Sequence, residues 1–224
     1  HHLGRIMTFL ETSGLAQRTI VVLTSDHGDY LGDHWLGEKD LFHEEIVRIP
    51  MLVADPRTSA DATRGMTVGA LVESIDLAPT FLDWAGGPAA PHRHEGASLR
   101  PLLDGTTPAA WRSAAFCDSD YSRRHARRTL GLGPDQARGF MVRTEHWKYV
   151  YFEQFPPMLF DLIADPQEQT DLGTSAAHAG VRAEMKERLF VWLLNRKTRV
   201  TVSHDTIERV TGSAKARGYR FGEW

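Results

Sequence analysis

One cysteine, Cys117, stands in 224 residues, so no internal disulfide can form. Thiols left unpaired fit a reducing compartment, and a cytoplasmic location is expected. No apolar run approaches the ~18 residues needed to span a bilayer. Neither sign of charge dominates: 26 Lys and Arg stand against 29 Asp and Glu, a formal net charge of −3. That balance gives no electrostatic case for nucleic acid or an anionic membrane surface. The ordinary content of 42% hydrophobic and 25% charged residues, with 19 Gly and 11 Pro, excludes collagen, low-complexity and coiled-coil classes. Internal repeats are absent as well. No Met opens the chain, which starts inside an amphipathic pattern of Leu3, Ile6, Met7 and Leu10 followed by Ser13-Gly14. Such a stripe with a glycine stop predicts a helix, and a chain that begins partway through a larger fold.

What is present alternates helix and strand. Thr19 to Ser25 is a short, β-branched apolar run, the pattern of a strand buried on both faces of a parallel sheet. A polar, glycine-containing loop over 26–45 and a second strand from Ile49 to Ala54 follow. Asp76, Pro79 and the apolar Leu77, Phe81, Leu82 and Trp84 predict a capped helix that ends at Gly86-Gly87, and a short helix runs from Ser98 to Leu103. From 113 onward, short strand candidates at 114–117, 139–143, 147–152 and 158–162 predict a small antiparallel sheet, with an Arg-rich loop over 122–138. Val181, Met185, Leu189, Trp192 and Leu193 recur at helical spacing. The expected organisation is an α/β region over 1–110, a smaller α+β subdomain over 111–197, and an extended tail over 198–224.

The densest reactive cluster is Ser25-Asp26-His27-Gly28-Asp29, directly after the first strand. Ligands of open α/β sheets gather beyond the carboxyl ends of strands. Asp26 and His27 together offer an oxygen and a nitrogen donor to a divalent ion, and Gly28 permits a sharp turn and close approach. The same residues also fit an ordinary turn with a capping aspartate. Lys39 could set a cation against an anionic substrate or leaving group, or simply be a solvated surface lysine. His34 and His43 fit supporting loop positions, and Cys117 fits a buried core thiol. His34, Asp120 and Tyr121 are candidate substrate contacts; the arginines at 123, 124, 127 and 128 fit a solvated basic loop.

The stretch from Thr19 to His34, with Lys39 and then Val47 to Val53, resembles the second metal motif of sulfatases and phosphonate monoester hydrolases in the alkaline phosphatase superfamily. Ser74 to Leu82, Glu95 to Gly105, Arg143 to Tyr149 and Leu159 to Glu168 resemble further blocks of that family, in its order. The Asp-His pair is closest to the phosphonate monoester hydrolase branch. The resemblance implies the C-terminal part of an alkaline-phosphatase-like sheet with flanking helices, followed by a small antiparallel-sheet-and-helix subdomain. It implies Asp26 and His27 as metal ligands and Lys39 as the lysine that meets the anionic group of a small ester substrate. An imidazole in the shell favours Mn²⁺, Fe²⁺ or Zn²⁺ over Ca²⁺. It also implies a formylglycine nucleophile made within a Cys/Ser-x-Pro-x-Arg motif, which this sequence lacks: Cys117 is followed by Asp-Ser-Asp. The motif precedes Asp-His in family order, so it would lie before His1, and the chain alone is expected to be inactive. A noncatalytic assembly module is the alternative. The tail then serves as an arm between subunits of a homo-oligomer, or as an unpaired terminus, since Tyr219, Phe221 and Trp224 have no core of their own. Removing 198–224 should lower the mass measured by light scattering if the tail is an arm; an unchanged mass rules the arm out.

Overall fold

A computed structural model describes residues 1–198, 200–211 and 218. In chain order the first elements are helix α1 (His2–Thr12), strand β1 (Val21–Thr24), the one-turn helix α2 (Glu44–Val47) and strand β2 (Met51–Ala54). Helices α3 (Leu77–Trp84) and α4 (Arg100–Leu103) come next, then strand β3 (Ala115–Asp120) and helix α5 (His125–Thr129). Strands β4 (Arg138–Arg143), β5 (Trp147–Phe152) and β6 (Met158–Asp161) precede the long helix α6 (Ala179–Leu194) and the short α7 (His204–Val210). No helix among the described residues is long and apolar enough to cross a membrane.

The chain divides into two compact units, His1–Val72 with Pro101–Trp192, and Glu73–Arg100 with Leu193–Trp224. In the first unit, β3-β4-β5-β6 form a four-stranded antiparallel meander. Its side chains obey the two-residue period of a pleated sheet. Val142, Tyr149 and Leu159 stand in register and pack on one face against Met185 and Leu189 of α6, with Phe116 stacked on Trp192 at 4.9 Å. Met141, Val150 and Met158 fill the other face, where Phe42 and Val47 cover them from the loop around α2. Both faces of the sheet are therefore packed, and the second face carries the segment that leads to the reactive cluster. Cys117 is half-buried on that face.

β1 pairs antiparallel with β2, Val21 opposite Ala54 and Thr24 opposite Met51, rather than standing in a parallel sheet. All four β1 residues are half-buried. A continuous apolar run reads the same in either pairing, so the pattern could not choose between them. α1 forms as its stripe predicts and ends at Gly14, whose φ of +71° suits the left-handed stop. The Arg-rich segment contains α5, where the sequence suggested only a loop; Arg127 holds it by donating to the Ser122 and Leu132 carbonyls at 2.6 and 2.8 Å.

In the second unit, Asp76 is fully buried ahead of α3. Its carboxylate accepts the N–H groups of Glu73 and Ala97, both at 2.8 Å, so it caps one turn and ties down a second segment at once. Thr80 hydroxyl accepts the Leu99 N–H at 2.8 Å. Glu95 receives Arg196 and the Lys197 N–H. α7 lies within the tail and starts at Ser203, whose hydroxyl accepts the Thr206 N–H at 3.2 Å. The aromatic end of the tail, Tyr219, Phe221 and Trp224, lies outside the described residues.

Leu159 is completely buried between strand neighbours and α6, whereas Leu52 on β2 is 56% exposed. Leu159→Ala should cost about 2–5 kcal/mol in urea unfolding and Leu52→Ala less than about 1 kcal/mol. Equal costs would contradict this assignment of the core.

Candidate functional site

β1 ends at Thr24 and delivers Ser25 to Asp29 onto the surface of the first unit. Ser25 hydroxyl donates to the His27 carbonyl at 2.7 Å, and the His27 N–H donates to Asp26 Oδ1 at 3.0 Å. His27 Nδ1 lies 2.7 Å from the Gly28 carbonyl oxygen. A carbonyl only accepts, so Nδ1 carries the proton and Nε2 presents a lone pair. That lone pair faces Lys39 Nζ at 2.6 Å and lies 3.3 Å from Asp26 Oδ2. The Asp26 carboxyl is held below its usual range, chiefly by hydrogen bonds from backbone N–H groups and further by the neighbouring His27 and Lys39. Its side chain is 83% exposed, against 34% for His27. Asp26, His27 and Lys39 thus meet at one point, as a carboxylate, an imidazole lone pair and an ammonium.

Gly28 makes this possible through close approach. A Cβ there would lie 1.8 Å from the Glu45 carbonyl oxygen. Its N–H donates to the Ile46 carbonyl at 2.8 Å, which fastens the loop to α2. Farther on, Tyr30 N–H donates to the Glu38 carbonyl at 3.1 Å and so sets the backbone next to Lys39. Tyr30 hydroxyl meets His43 Nδ1 at 2.6 Å in a buried contact.

The other candidates have partners outside the trio. His34 stacks on His43 at 4.0 Å and sits 3.5 Å from Glu45 Oε2 without a directed hydrogen bond, in a supporting position. Asp120 accepts the Ser122 N–H at 2.7 Å, and Tyr121 lies edge-on to Phe152 at 6.1 Å. The chain that follows them returns at Arg124, which pairs with Asp40 at 2.5 Å, one residue beyond Lys39. Among the described residues, no group of three or more His, Cys, Asp or Glu is arranged to hold a metal ion. Asp26 and His27 supply two donors. Their 3.3 Å separation suits two ligands of one cation, whose mutual distance is roughly 3.0–3.4 Å for bonds of about 2.1 Å.

A charged cluster that the sequence analysis did not single out lies beneath the loop. Lys148 on β5 is completely buried and meets Glu44 Oε1 and Glu168 Oε1, both at 2.8 Å, and the Phe42 carbonyl at 3.0 Å. The Glu168 contact is an ion pair without a directed hydrogen bond. Burial pushes the Glu168 carboxyl up, beyond what Lys148 offsets. For Glu44, burial is outweighed by Lys148 and Arg143, and its carboxyl is held down. The available signal was strand alternation, which put Lys148 on the same inward face as Val150.

A family model described as N-sulphoglucosamine sulphohydrolase, C-terminal, matches residues 32–193. The chain belongs to this family, and its neighbours are sulfatases and phosphonate monoester hydrolases of the alkaline phosphatase superfamily. It is 33% identical over 205 residues to a multifunctional alkaline phosphatase superfamily protein of Trinickia caryophylli, covering 90% of this chain and 39% of that protein. The phosphonate monoester hydrolase of Agrobacterium radiobacter superposes with a TM-score of 0.78 at 33% identity, over 86% of this chain and 38% of that one. The Silicibacter pomeroyi enzyme gives 0.81 at 29% identity, over 91% and 41%. The chain therefore spans about two-fifths of the length of these relatives, and the match lies in their C-terminal portion.

Burial, and then the charges of His34 and Lys148, hold His43 down to about 4. The folded state keeps this ring neutral, while an unfolded histidine takes a proton below about 6.5. The unfolded chain therefore binds more protons between pH 6.5 and 4, and stability should fall as pH falls through that window, by up to about 3 kcal/mol. Urea midpoints of the wild type and His43→Gln should diverge at pH 7 and converge toward pH 4. Parallel curves would rule this out.

Proposed function

We propose that this chain carries the C-terminal portion of an active site that hydrolyses small sulfate, phosphate or phosphonate monoesters with a divalent metal ion. The observation that carries the reading is the fixed orientation of the His27 ring. Nδ1 is spent on the Gly28 carbonyl, and Nε2 is turned toward Asp26 Oδ2 and Lys39 Nζ. A histidine fixed in this way is prepared as a ligand, because the outer hydrogen bond orients the ring and raises the basicity of the other nitrogen.

Asp26 and His27 would hold the ion, with Mn²⁺, Fe²⁺ or Zn²⁺ favoured by the mixed oxygen and nitrogen donors. Such an ion, when bound, neutralises the anionic oxygens of the ester and acts as a Lewis acid. Lys39 directs its ammonium to the oxygen charge that grows as the ester bond breaks. Gly28 and Tyr30 keep the loop in place while these groups act. Membership of the family and the relatives' printed names support the reaction class; nothing in the site selects among the three esters. By itself the chain offers two donors where a tight site needs about four, so weak metal binding and no turnover are expected. Robust release of nitrophenol from p-nitrophenyl sulfate by the purified chain would overturn the second expectation.

Titration calorimetry with Mn²⁺ tests the metal assignment. Asp26→Ala should weaken binding at least about tenfold. Lys39→Met should tighten it, because the ammonium competes for the same lone pair. Equal affinity in the wild type and Asp26→Ala rules out the ligand assignment.

A further inference from the structure

We infer that Lys148, with Glu44 and Glu168, forms a positioning cluster for the Asp26–His27–Lys39 site and acts on it through α2. Its functional meaning rests on the proposed reading of that site; the physical coupling does not. Lys148 Nζ grips the first turn of α2 through the Phe42 carbonyl at 3.0 Å and the Glu44 carboxylate at 2.8 Å. Glu168 closes the grip: Oε1 pairs with Nζ at 2.8 Å, and Oε2 accepts the Glu44 N–H at 2.6 Å. At the far end of the same turn, the Ile46 carbonyl accepts the Gly28 N–H at 2.8 Å. The Gly28 carbonyl in turn accepts the His27 Nδ1 proton at 2.7 Å. A second branch leaves α2 at His43, reaches Tyr30 hydroxyl at 2.6 Å, and continues from Tyr30 N–H to the Glu38 carbonyl beside Lys39. Both sides of the His27–Lys39 contact are thus referred to one helical turn, and that turn to one ammonium.

Stability alone is a poor reason for the arrangement, since apolar residues of similar volume usually replace buried ion clusters at no loss. An ammonium does what a methyl cannot, because it fixes three oxygen atoms from two distant segments at defined distances. Glu168 adopts a φ of +54° to deliver its carboxylate, and it is 3% exposed. Backbone strain of this kind persists only where the surroundings over-determine it. A chain of contacts becomes a coupling only when a perturbation at one end is felt at the other.

Native-state amide hydrogen exchange on the full chain supplies that perturbation. Glu168→Gln and Lys148→Met should each lower protection of the Gly28 amide at least about tenfold, while Met141 and Val150 in the sheet change less than about threefold. A folded variant with unchanged Gly28 protection overturns the inference. Should both variants fail to fold, the unmodified chain decides. Under mild denaturant the Gly28 and Glu44 amides should then open as one unit, within about threefold of each other, and Gly28 exchanging more than about tenfold faster than Glu44 overturns it. Broadening of the His27 ring resonances by Mn²⁺ reports on the metal separately. Its absence, with Gly28 coupling intact, sinks the proposed function and leaves the positioning role; the reverse sinks the positioning role alone.

Discussion

The buried ammonium of Lys148 is the constraint around which the first unit is arranged. Removing a charge from water costs several kcal/mol even after the protein relaxes, so a lysine with no exposed surface must be surrounded by acceptors. Here the acceptors are the Phe42 carbonyl, Glu44 and Glu168. They come from segments more than a hundred residues apart in sequence, so the demand of one group for partners brings the early loop onto the late sheet. Phe42 then caps the apolar face made by Met141 and Val150, so the polar and the hydrophobic anchors lie side by side. Losing either carboxylate would leave the ammonium short of partners, which is worse than never having buried it. The two carboxyls are shifted in opposite directions, Glu168 raised by burial and Glu44 lowered by Lys148 and Arg143.

Rigidity below contrasts with exposure above. The four-stranded sheet is packed on both faces, whereas Asp26 points into solvent and the loop after it presents Leu31 and Trp35 almost wholly exposed. Leu31, His34, Trp35 and Glu38 all have positive φ, a conformation that costs non-glycine residues roughly 1 kcal/mol or more each. The loop holds this shape through its own backbone, with Asp33 N–H bonded to the Tyr30 carbonyl at 2.8 Å and Leu36 N–H to Asp33 at 2.9 Å. Tyr30, fixed from below by His43, joins the packed layer to the strained one.

Much of this was legible in the residues, for identifiable reasons. The β4–β6 strands and α6 were readable because their apolar periods, two and near 3.6, are enforced by the same core. Asp26 and His27 were readable because reactive groups crowd after a strand end, Lys39 only through the family resemblance, and the structure brings the three together. The pairing direction of β1 was not readable, since an apolar run carries no record of its partner. α5 was hidden because arginines that bond their own loop look like a solvated run. The Lys148 cluster was hidden for a deeper reason. Strand alternation puts Lys148 on the face of Val150, but only three-dimensional closure shows that Glu44 and Glu168 meet it there.

The same ordering explains how the proposed site could serve two roles with one lysine. The His27 Nε2 atom meets Lys39 Nζ at 2.6 Å, so this surface imidazole does not stand unpaired. In the proposed site, a cation held by Asp26 and His27 would take that lone pair, and the Lys39 ammonium would then be available to the negative charge of an ester substrate. Such an exchange would require His27 to keep its ring orientation while its partner changed. That orientation comes from the Gly28 carbonyl, held in turn by α2 and the buried cluster below. A loose His27 would rotate with its departing lysine and lose the approach to Asp26. The packed sheet and the exposed loop are therefore complementary in the proposed site, one fixing the His27 ring while the other leaves Lys39 in solvent.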